Sequence, residues 1–414
     1  MQDQKEIVEN VFRYEYGKIL AILVNRFGPA HLEKIEDAVQ DALLKAMQIW
    51  GYQNVPDKPT SWLLRVAGNS LIDTLRRDKK MIKEGEFSKE MKSNPKEIAL
   101  ENSISDSQLK MIFACCHPAL SVEYQIILSL KLIGGFGNKE IARVLLKKEE
   151  AVAKSFTRAK RKLKEEISTL DIPIEIGLQS RLFVVIRVIY LLFSEGYAPS
   201  SGDVAIKKDV CFEAIRLAML LHENEYCRHP NLEALIALMC FHVSRFDARL
   251  DDQMEIVDLE HQDRSKYNKE LIQIGIKHLE KSGTKAQQPS NYHLEAAVSY
   301  YHCVASSFQK TDWKSILHLY NLQLERQYSP VVELNRIIPY YKVYGPEKAL
   351  KKLEQYKVSP HFKDSKLYYA IWAELLTQTG SFKKAEEALR AAIDLTNNEL
   401  EKKHWTKKLE VLKP

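Results

Sequence analysis

Two apolar helical periods separated by a short polar break, between residues 138 and 164, constrain the fold of this chain most. Before the break, four residues form one apolar face: Ile141, Ala142, Val144 and Leu145. After residues 147–149 the period restarts, with apolar side chains three or four positions apart at Val152, Phe156, Ala159 and Leu163. The pattern predicts a helix-turn-helix whose second helix packs these last four side chains inward.

The other face of the second predicted helix is polar and cationic. It carries Lys154, Ser155, Thr157, Arg158, Arg161 and Lys162. Residues 131–164 hold eleven Lys and Arg against three acids, which is an electrostatic footprint for a polyanion. Such a helix suits the DNA major groove, with cations on phosphates and arginine on guanine edges. An amphipathic surface helix in a bundle is the alternative interpretation.

Composition and termini indicate the class of protein. With only 15 Gly and 14 Pro among 414 residues, and a helical period in most windows, the chain is predicted to be all-α. Six irregularly spaced cysteines are typical of a reduced cytosolic protein. The charged N-terminus lacks the apolar core of a signal peptide, and the longest apolar run, residues 182–193, is too short for a membrane span. We therefore expect a soluble cytoplasmic protein with no membrane partner.

The chain divides into five predicted segments. Residues 1–78 form a first helical domain, and residues 79–107, rich in Lys, Glu and Ser, form a flexible linker. Residues 108–170 form a second domain that ends in the helix-turn-helix. Residues 171–285 form a helical extension, and residues 286–414 form helix pairs similar to tetratricopeptide repeats. A plain helical bundle is the alternative for the last segment.

The predicted helix pairs have common turn residues. Residues 365–379 pair with 382–396, and two earlier pairs cover 292–327 and 331–356. Gly345 and Gly380 stand at equivalent turns, and the second helices of the two pairs differ by one residue in register. Each pair is expected to bury, by stacking on its neighbour, an apolar face that it cannot cover alone.

The first two domains resemble regions 2 and 4 of bacterial RNA polymerase sigma factors of the extracytoplasmic-function type. The helix IEDAVQDALLKAMQIW, residues 35–50, is similar to the segment that binds core polymerase in that family. The resemblance implies that Asp37, Gln40 and Asp41 contact the clamp helices of the large polymerase subunit. Because these three residues lie opposite the apolar stripe of the helix, we expect them to face solvent.

The helix SWLLRVAGNSLIDTLRR, residues 61–77, is similar to the family's reader of the −10 promoter element. The resemblance implies single-stranded DNA contacts from Trp62, Arg65, Asn69, Arg76 and Arg77. The amide of Asn69 can bond an unstacked base edge, and the arginines can neutralise phosphate. The preceding loop, residues 51–60, corresponds to the place where the family holds an extruded base. For Asp73, a DNA contact and the orientation of Arg76 or Arg77 are alternative roles.

The helix-turn-helix resembles the −35 reader of the same family, which also meets the polymerase flap. The resemblance assigns −35 DNA contacts to the exposed face: Lys154, Ser155, Thr157, Arg158, Arg161 and Lys162. Ala153 and Ser155 stand where many relatives carry arginine, so no −35 preference can be transferred. The segment FACCHPAL, residues 113–120, and several later motifs resemble a subgroup with a long helical extension. That resemblance implies a regulatory extension, either docked within the chain or holding a protein partner.

Catalytic and metal sites are not predicted. Cys115 and Cys116 are adjacent, so on a helix their side chains point about 100° apart. No second cluster of metal ligands with matching spacing follows in the sequence, so core packing is favoured over metal binding with His117. The sequence has no Walker, GxGxxG or GxSxG motif. No cofactor is expected, and any magnesium chemistry would belong to the polymerase.

Two further polar groups are interpreted as structural. His222, Cys227 and His229 are expected at a helix end and loop. Residues 260–264 contain two acids, a histidine and Arg264, and we expect that arginine to pair with a neighbouring acid at a helix junction rather than serve a hydrolytic site.

The favoured function is that of a sigma factor that directs core RNA polymerase to promoters, with an extension that modulates activity. The alternative is a helix-turn-helix DNA-binding regulator that carries protein-binding repeats and never joins the polymerase. A helical-repeat scaffold is a third hypothesis. The first helical domain, residues 1–78, favours the sigma factor because a simple DNA-binding regulator does not need it.

Overall fold

The computed structural model describes these residues of the chain: 2–50, 55–80, 97–145, 147–171, 176–199, 205–285, 288–356 and 362–412. Within these ranges the regular secondary structure is helical, and β-bridges occur only at isolated residues, such as the antiparallel bridge between Leu250 and Ile256, so the all-α prediction is confirmed. None of the described helices combines the length and apolar character needed to cross a membrane. The first compact unit comprises Met1–Leu192 and Glu223–Cys227, and the second comprises Phe193–His222 and Arg228–Pro414.

Among the residues that the structure describes, the first unit contains seven α-helices and most of an eighth. They are α1 (Gln2–Phe27), α2 (Leu32–Trp50), α3 (Pro59–Lys80), α4 (Glu97–Cys115), α5 (Val122–Leu128), α6 (Asn138–Val144), α7 (Glu149–Glu166) and α8 (Ile176–Tyr197). A π-helical turn, Ser129–Ile133, follows α5. Fully buried Ile19, Leu32 and Leu63 belong to α1, α2 and α3, so these helices share an apolar core.

Helix α4 begins inside the segment that the sequence analysis predicted to be a linker. It starts at Glu97, so residues 97–107 are helical, whereas residues 81–96 lie outside the described part of the chain. Ile104 lies two turns and Leu100 three turns before Met111, so a helical period is present but sparse. The Lys, Glu and Ser content of the segment hid that period. Residues 97–107 are therefore helical rather than extended, and the domain boundaries themselves stay a prediction.

The two N-terminal domains pack together instead of forming separated modules. Helix α1 contacts α4 and the π-helical turn. Gly17 permits the closest approach, since a Cβ atom there would lie 2.3 Å from the main-chain oxygen of Ile133. Asn25 donates a 3.1 Å hydrogen bond to Ser107 across the same contact. Residues up to Leu192 belong to this unit, beyond the boundary predicted at residue 170.

After α8, the described part of the second unit contains eleven α-helices. They are α9 (Lys208–Glu223), α10 (Pro230–Val243), α11 (Phe246–Arg249), α12 (Lys269–Lys285), α13 (Asn291–Val304), α14 (Trp313–Arg326), α15 (Pro330–Tyr344), α16 (Pro346–Glu354), α17 (Lys366–Gln378), α18 (Phe382–Leu395) and α19 (Glu399–Val411). Helix α10 is buried along most of its length and packs against α12 and α13. A helix that is apolar on nearly all sides belongs at the centre of a bundle.

The helix pairs expected from the sequence are present in the second unit as α13 with α14, α15 with α16, and α17 with α18. Gly345 and Gly380 occupy the turns inside the last two pairs, with φ of 92° and 75°, a region that glycine enters freely. Helix α16 starts directly after Gly345, whereas α18 starts two residues after Gly380. This difference explains the change of register between the pairs. The assignment of the pairs as tetratricopeptide repeats stays a prediction.

Arg264 does not pair with an acid among the described residues, contrary to the expectation from the sequence. Its guanidinium donates to the main-chain oxygens of His302 and Ala305, the latter at 2.8 Å. The last carbonyls of a helix lack intrahelical partners, so Arg264 completes the C-terminal end of α13. The neighbouring Asp263 accepts hydrogen bonds from the main chain and hydroxyl of Ser265. This cluster therefore has a structural role.

Candidate nucleic-acid interface

Helix α2 presents one polar face to solvent. Asp37, Gln40 and Asp41 are all exposed, as predicted, while Ile35 and Val39 on the opposite side are fully buried. The exposed face lies on the outside of the unit because the apolar stripe of α2 packs against α1 and α3. The carboxylates are therefore available to a partner.

Apolar side chains extend this face in a way that the sequence analysis missed. Leu44 is 57% exposed and Met47 is 45% exposed. Ile49 in the last turn is 40% exposed, whereas its neighbour Trp50 is buried. Large apolar side chains held in water beside polar groups mark an interaction surface. The spacing of Leu44, seven residues after Asp37, was a usable signal.

Helix α3 exposes the residues expected to meet single-stranded DNA. Arg65, Asn69 and Arg76 are exposed on its solvent side. The opposite side is buried at Leu63, Ala67 and Leu71, so the helix has two separate faces. Spacings of four and seven residues align the three polar side chains along about three turns of helix. The helix therefore offers a row of one amide and two guanidinium groups.

The remaining two residues of this predicted set behave differently. Trp62 is half-buried, and its ring centroid lies 5.4 Å from that of Trp50, so it packs against α2 and is only partly exposed to solvent. Arg77 is exposed, and its Nε donates to the main-chain oxygen of Asp73 at 3.3 Å. That bond is made to the backbone and not to the Asp73 carboxylate. The suggestion that the carboxylate orients Arg77 is therefore not supported.

Helix α7 has the amphipathic arrangement predicted from its sequence. The four apolar residues that were expected to pack inward are all buried: Val152, Phe156, Ala159 and Leu163. Lys154, Thr157, Arg158 and Arg161 are exposed, and Lys162 is half-buried. Arg161 approaches Glu165 at 3.7 Å with both side chains mostly in solvent, so this pair is weak and leaves the cation accessible.

Ser155 differs from the rest of the predicted DNA-binding face. It is half-buried, and its hydroxyl donates a 3.1 Å hydrogen bond to Glu123 of α5. Glu123 also pairs with Lys147 at 2.7 Å, and the hydrogen bond from that lysine lowers the pKa of Glu123. Ser155 therefore braces α7 against α5, and Lys147 holds the Glu123 carboxylate in place for this hydrogen bond.

Two further cations of α7 point away from the face that the sequence predicts to bind DNA. Lys160 lies 2.6 Å from the buried carboxylate of Glu36, and Lys164 lies 3.1 Å from Glu33, both on α2. Tyr16 of α1 also donates to Glu36, at 3.4 Å. Burial, followed by the charge of Glu36, raises the pKa of Tyr16. The basic character of α7 is therefore shared between an exposed face and this internal ionic contact.

The cysteine pair has the packing role that the sequence predicted. Cys115 and Cys116 are both buried, and Cys116 lies 3.8 Å from the hydroxyl of Ser129. Burial raises the pKa of Cys116 to about 12. A thiol in this environment stays protonated at neutral pH.

Comparison with known families matches three parts of the chain. Residues 11–81 match sigma-70 region 2, and residues 110–163 match sigma-70 region 4. Residues 181–283 match a family of unknown function (DUF6596). The chain is also similar to an uncharacterized protein of Rhizobium meliloti (strain 1021), with 32% identity over 89% of this chain and 87% of the relative. No solved structure matches.

The two matched regions contain the exposed faces described above. Region 2 includes the polar face of α2 and the row of polar side chains on α3, and region 4 includes most of helix α7 with its exposed cations. Each face lies opposite a buried apolar stripe, so the matched segments are folded as well as similar in sequence. The chain therefore belongs to the sigma-70 family of RNA polymerase sigma factors, which direct RNA polymerase to promoters, and it carries a helical C-terminal extension.

Proposed function

We propose that this sigma factor is of the extracytoplasmic-function type and acts in the cytoplasm on core RNA polymerase. In this proposal, Asp37, Gln40 and Asp41 bind the clamp helices of the large polymerase subunit, and region 4 meets the flap. The observation that carries the proposal is the exposure of these three side chains on a helix whose opposite face is buried. Leu44 and Met47 add apolar area to the same contact.

DNA contacts are divided between two helices in this proposal. The −10 element meets Trp62, Arg65, Asn69, Arg76 and Arg77 of α3. The −35 element meets Lys154, Ser155, Thr157, Arg158, Arg161 and Lys162 of α7, with Ser155 contributing mainly by bracing the helix. The polymerase supplies the chemistry of RNA synthesis.

Association with core enzyme tests the proposal directly. We expect the purified chain to co-elute with core RNA polymerase at low salt and to compete with another sigma factor for it. A chain that binds promoter DNA yet never associates with core enzyme would instead be a DNA-binding regulator.

The packed arrangement of regions 2 and 4 must open before both promoter elements can be bound. Elements centred about 25 base pairs apart are separated by roughly 85 Å along B-form DNA. In the structure, Lys160 of region 4 lies 2.6 Å from Glu36 of region 2. A helix of 18 residues such as α7 spans only about 27 Å. We therefore propose that binding to core polymerase separates the two regions.

Replacing Gly17 with alanine is expected to favour the open arrangement. Its Cβ would lie 2.3 Å from the Ile133 main-chain oxygen, so the α1 contact with the π-helical turn must shift, at a cost of about 1–3 kcal/mol. Hydrogen exchange at residues 129–133 should therefore accelerate. Affinity for core polymerase should rise several-fold, because less free energy is spent on opening.

Two controls separate opening from general damage. Gly283→Ala is the matched variant, because a Cβ at this position in α12 meets nothing within 4 Å and should change neither readout. The buried pair provides an independent route: Glu36→Gln and Lys160→Gln should each loosen the contact, and the swapped variant E36K/K160E should restore part of it. Slower exchange or weaker core binding by Gly17→Ala, with the fold intact, would contradict the opening step.

We further propose that the C-terminal extension modulates activity through the docking of its last helix. Helix α19 has no buried residue, yet it is attached to residues 255–258 by several charged contacts. Lys403 and Lys407 bind Glu255, and His404 and Lys408 bind Asp258 at 3.0 and 2.7 Å. Together with Trp405, Leu409 and Leu412, which pack on α17 and α18, these contacts hold the helix in place.

The docked helix borders a cavity in the repeat region. The cavity has a volume of about 920 Å³, and aromatic residues such as Trp313, Tyr320 and Tyr341 line it beside His404 and Trp405 of α19. A protein partner of the repeats would have to displace α19 or bind next to it. In this proposal, release of α19 is the step that couples a partner to promoter activity.

Protonation of its carboxylate partners should release α19. Burial raises the pKa of Asp258, but the hydrogen bond from His404 and the charge of Lys408 outweigh that effect and hold it below the usual range. Hydrogen bonds from Lys403 and Lys407 lower the pKa of Glu255. Carboxylates with depressed pKa values contribute stability above about pH 4 and lose it as pH falls through their folded-state pKa. We expect exchange of residues 399–411 to accelerate below about pH 4 and in high salt.

The double variant E255Q/D258N should produce the same release at neutral pH. Exposed or half-exposed ion pairs are individually weak, so we expect partial release of α19. Amide hydrogen exchange of residues 399–411 should accelerate by about tenfold. Glu399→Gln removes an i,i+3 pair with Lys402 inside α19 and serves as the control, with little expected effect. Promoter activity that is the same in wild type and E255Q/D258N would remove the proposed regulatory role of α19.

A further inference from the structure

Three side chains that can bind metal meet in the second unit, although they lie on three different helices. His222 lies at the end of α9, Glu233 in the first turn of α10, and His278 in α12. Glu233 Oε1 is 2.8 Å from Nδ1 of His222, and Oε2 is 2.6 Å from Nδ1 of His278. All the potential ligand atoms lie within 4.8 Å of one another. Two imidazole nitrogens and one carboxylate therefore converge on a single point.

The cluster is shielded, and its hydrogen bonding is incomplete. Glu233 and His278 are buried, and His222 is half-buried. Nδ1 of His222 is out of contact with solvent, and it makes no hydrogen bond in the described part of the chain despite its proximity to the carboxylate. Buried polar atoms are normally paired. A cation coordinated by both this nitrogen and the Glu233 carboxylate would satisfy the two atoms together.

We propose that His222, Glu233 and His278 bind one divalent transition-metal ion of the zinc class. Two histidines and one carboxylate are an established zinc ligand set, and imidazole also suits nickel and copper. With metal–ligand bonds of about 2.1 Å in a tetrahedral site, ligand atoms lie about 3.4 Å apart. The Glu233 carboxylate would therefore withdraw from each ring by about 0.6–0.8 Å, which a small side-chain rotation provides.

Charges around the cluster act in both directions. Glu233 presents one carboxylate oxygen to each histidine ring. The charge of Lys281 also acts on this carboxylate and opposes a bound cation.

An ion at this point would cross-link the helices of the extension. It would tie the end of α9 to α10 and α12, of which α10 forms the buried centre of the unit. The half-buried ring of His222 leaves a path by which the ion and a water ligand can enter. The expected consequence is a more stable extension rather than a catalytic centre.

Zinc titration of the full chain tests the proposal. Protein treated with EDTA and then desalted is titrated with ZnCl₂ by calorimetry, and bound metal is counted by mass spectrometry. We expect one zinc per chain and a higher unfolding temperature, because an ion that binds only the folded state stabilises it. Glu233→Gln and His278→Asn should each weaken binding by at least about tenfold. His318→Asn, at an exposed histidine of α14, should bind like wild type.

Two additional measurements keep the outcome decisive. Circular dichroism without metal shows whether Glu233→Gln and His278→Asn fold. If either does not, zinc binding by His222→Asn is the deciding measurement, because the His222 ring is partly exposed and its replacement should disturb the fold less. The absorption spectrum of the protein with CoCl₂ in place of zinc shows which ligands bind the ion. A strong near-ultraviolet band from thiolate would assign the ion to cysteines and overturn the proposal. Absence of stoichiometric zinc in the wild type, or equal binding by His222→Asn, would also overturn it.

Discussion

Replacing Asp37 and Asp41 with lysine is expected to abolish promoter-directed transcription while leaving the fold intact. Both carboxylates are exposed on α2, so charge reversal should cost the folded state little. Loss of charge complementarity at a binding surface costs about 2–5 kcal/mol, so affinity for core polymerase should fall by about a hundredfold. The measurement is the dissociation constant for core enzyme, followed by transcription from a fixed template.

Matched variants make this result specific. Glu280→Lys reverses an exposed carboxylate on α12 and should leave core binding unchanged. Leu44→Ala tests the apolar part of the same face. Leu44 is 57% exposed in the free chain, and the apolar area that core polymerase would cover is lost in this variant, so core binding should weaken by a smaller factor. Wild-type core affinity in the D37K/D41K variant would show that this face of α2 is not the polymerase contact.

Reversing Arg158 and Arg161 to glutamate is expected to eliminate binding of the −35 duplex. Both guanidinium groups lie on the exposed face of α7, opposite its buried apolar stripe. The variant places two acids against phosphate, so affinity for −35 duplex should fall by at least about a hundredfold at moderate salt. Milder Arg158→Gln and Arg161→Gln variants separate the roles, because loss of one phosphate contact lowers the salt slope by about 0.9.

Arg390→Glu is the control for this experiment. Arg390 is exposed on α18 and pairs with Glu386 four residues before it, much as Arg161 approaches Glu165 four residues after it. Reversal there should leave DNA binding at the wild-type level. Unchanged −35 binding by R158E/R161E would mean that α7 is an ordinary surface helix, as its amphipathic pattern alone also allows.

Features that depend on local sequence were predictable. The buried stripe of α7, with Val152, Phe156 and Ala159, follows from helical spacing, and so does the exposure of Arg158 on the other side. The turns at Gly345 and Gly380 were recognisable because glycine readily adopts positive φ between two apolar periods. In these cases one helix or one turn contains all the information that the prediction needs.

Features that depend on contacts between distant segments were not predictable. Lys160 and Glu36 are 124 positions apart, and nothing in the period of α7 shows that this lysine faces α2. The same holds for His222, Glu233 and His278, which the sequence separates onto three helices. The start of α4 at Glu97 was missed for another reason, since a charged composition concealed a sparse apolar period. Long-range packing therefore decided which polar side chains are exposed.

Transcription of genomic fragments by core enzyme with this chain as the sole sigma factor tests the central claim most directly. We expect transcripts from a limited set of fragments, with start sites that share −10 and −35 sequences and with no product in the absence of the chain. The D37K/D41K and R158E/R161E variants should lose these transcripts. Absence of initiation on every fragment, although the purified chain is folded and present in excess over core enzyme, would contradict the assignment of this chain as a promoter-specificity subunit.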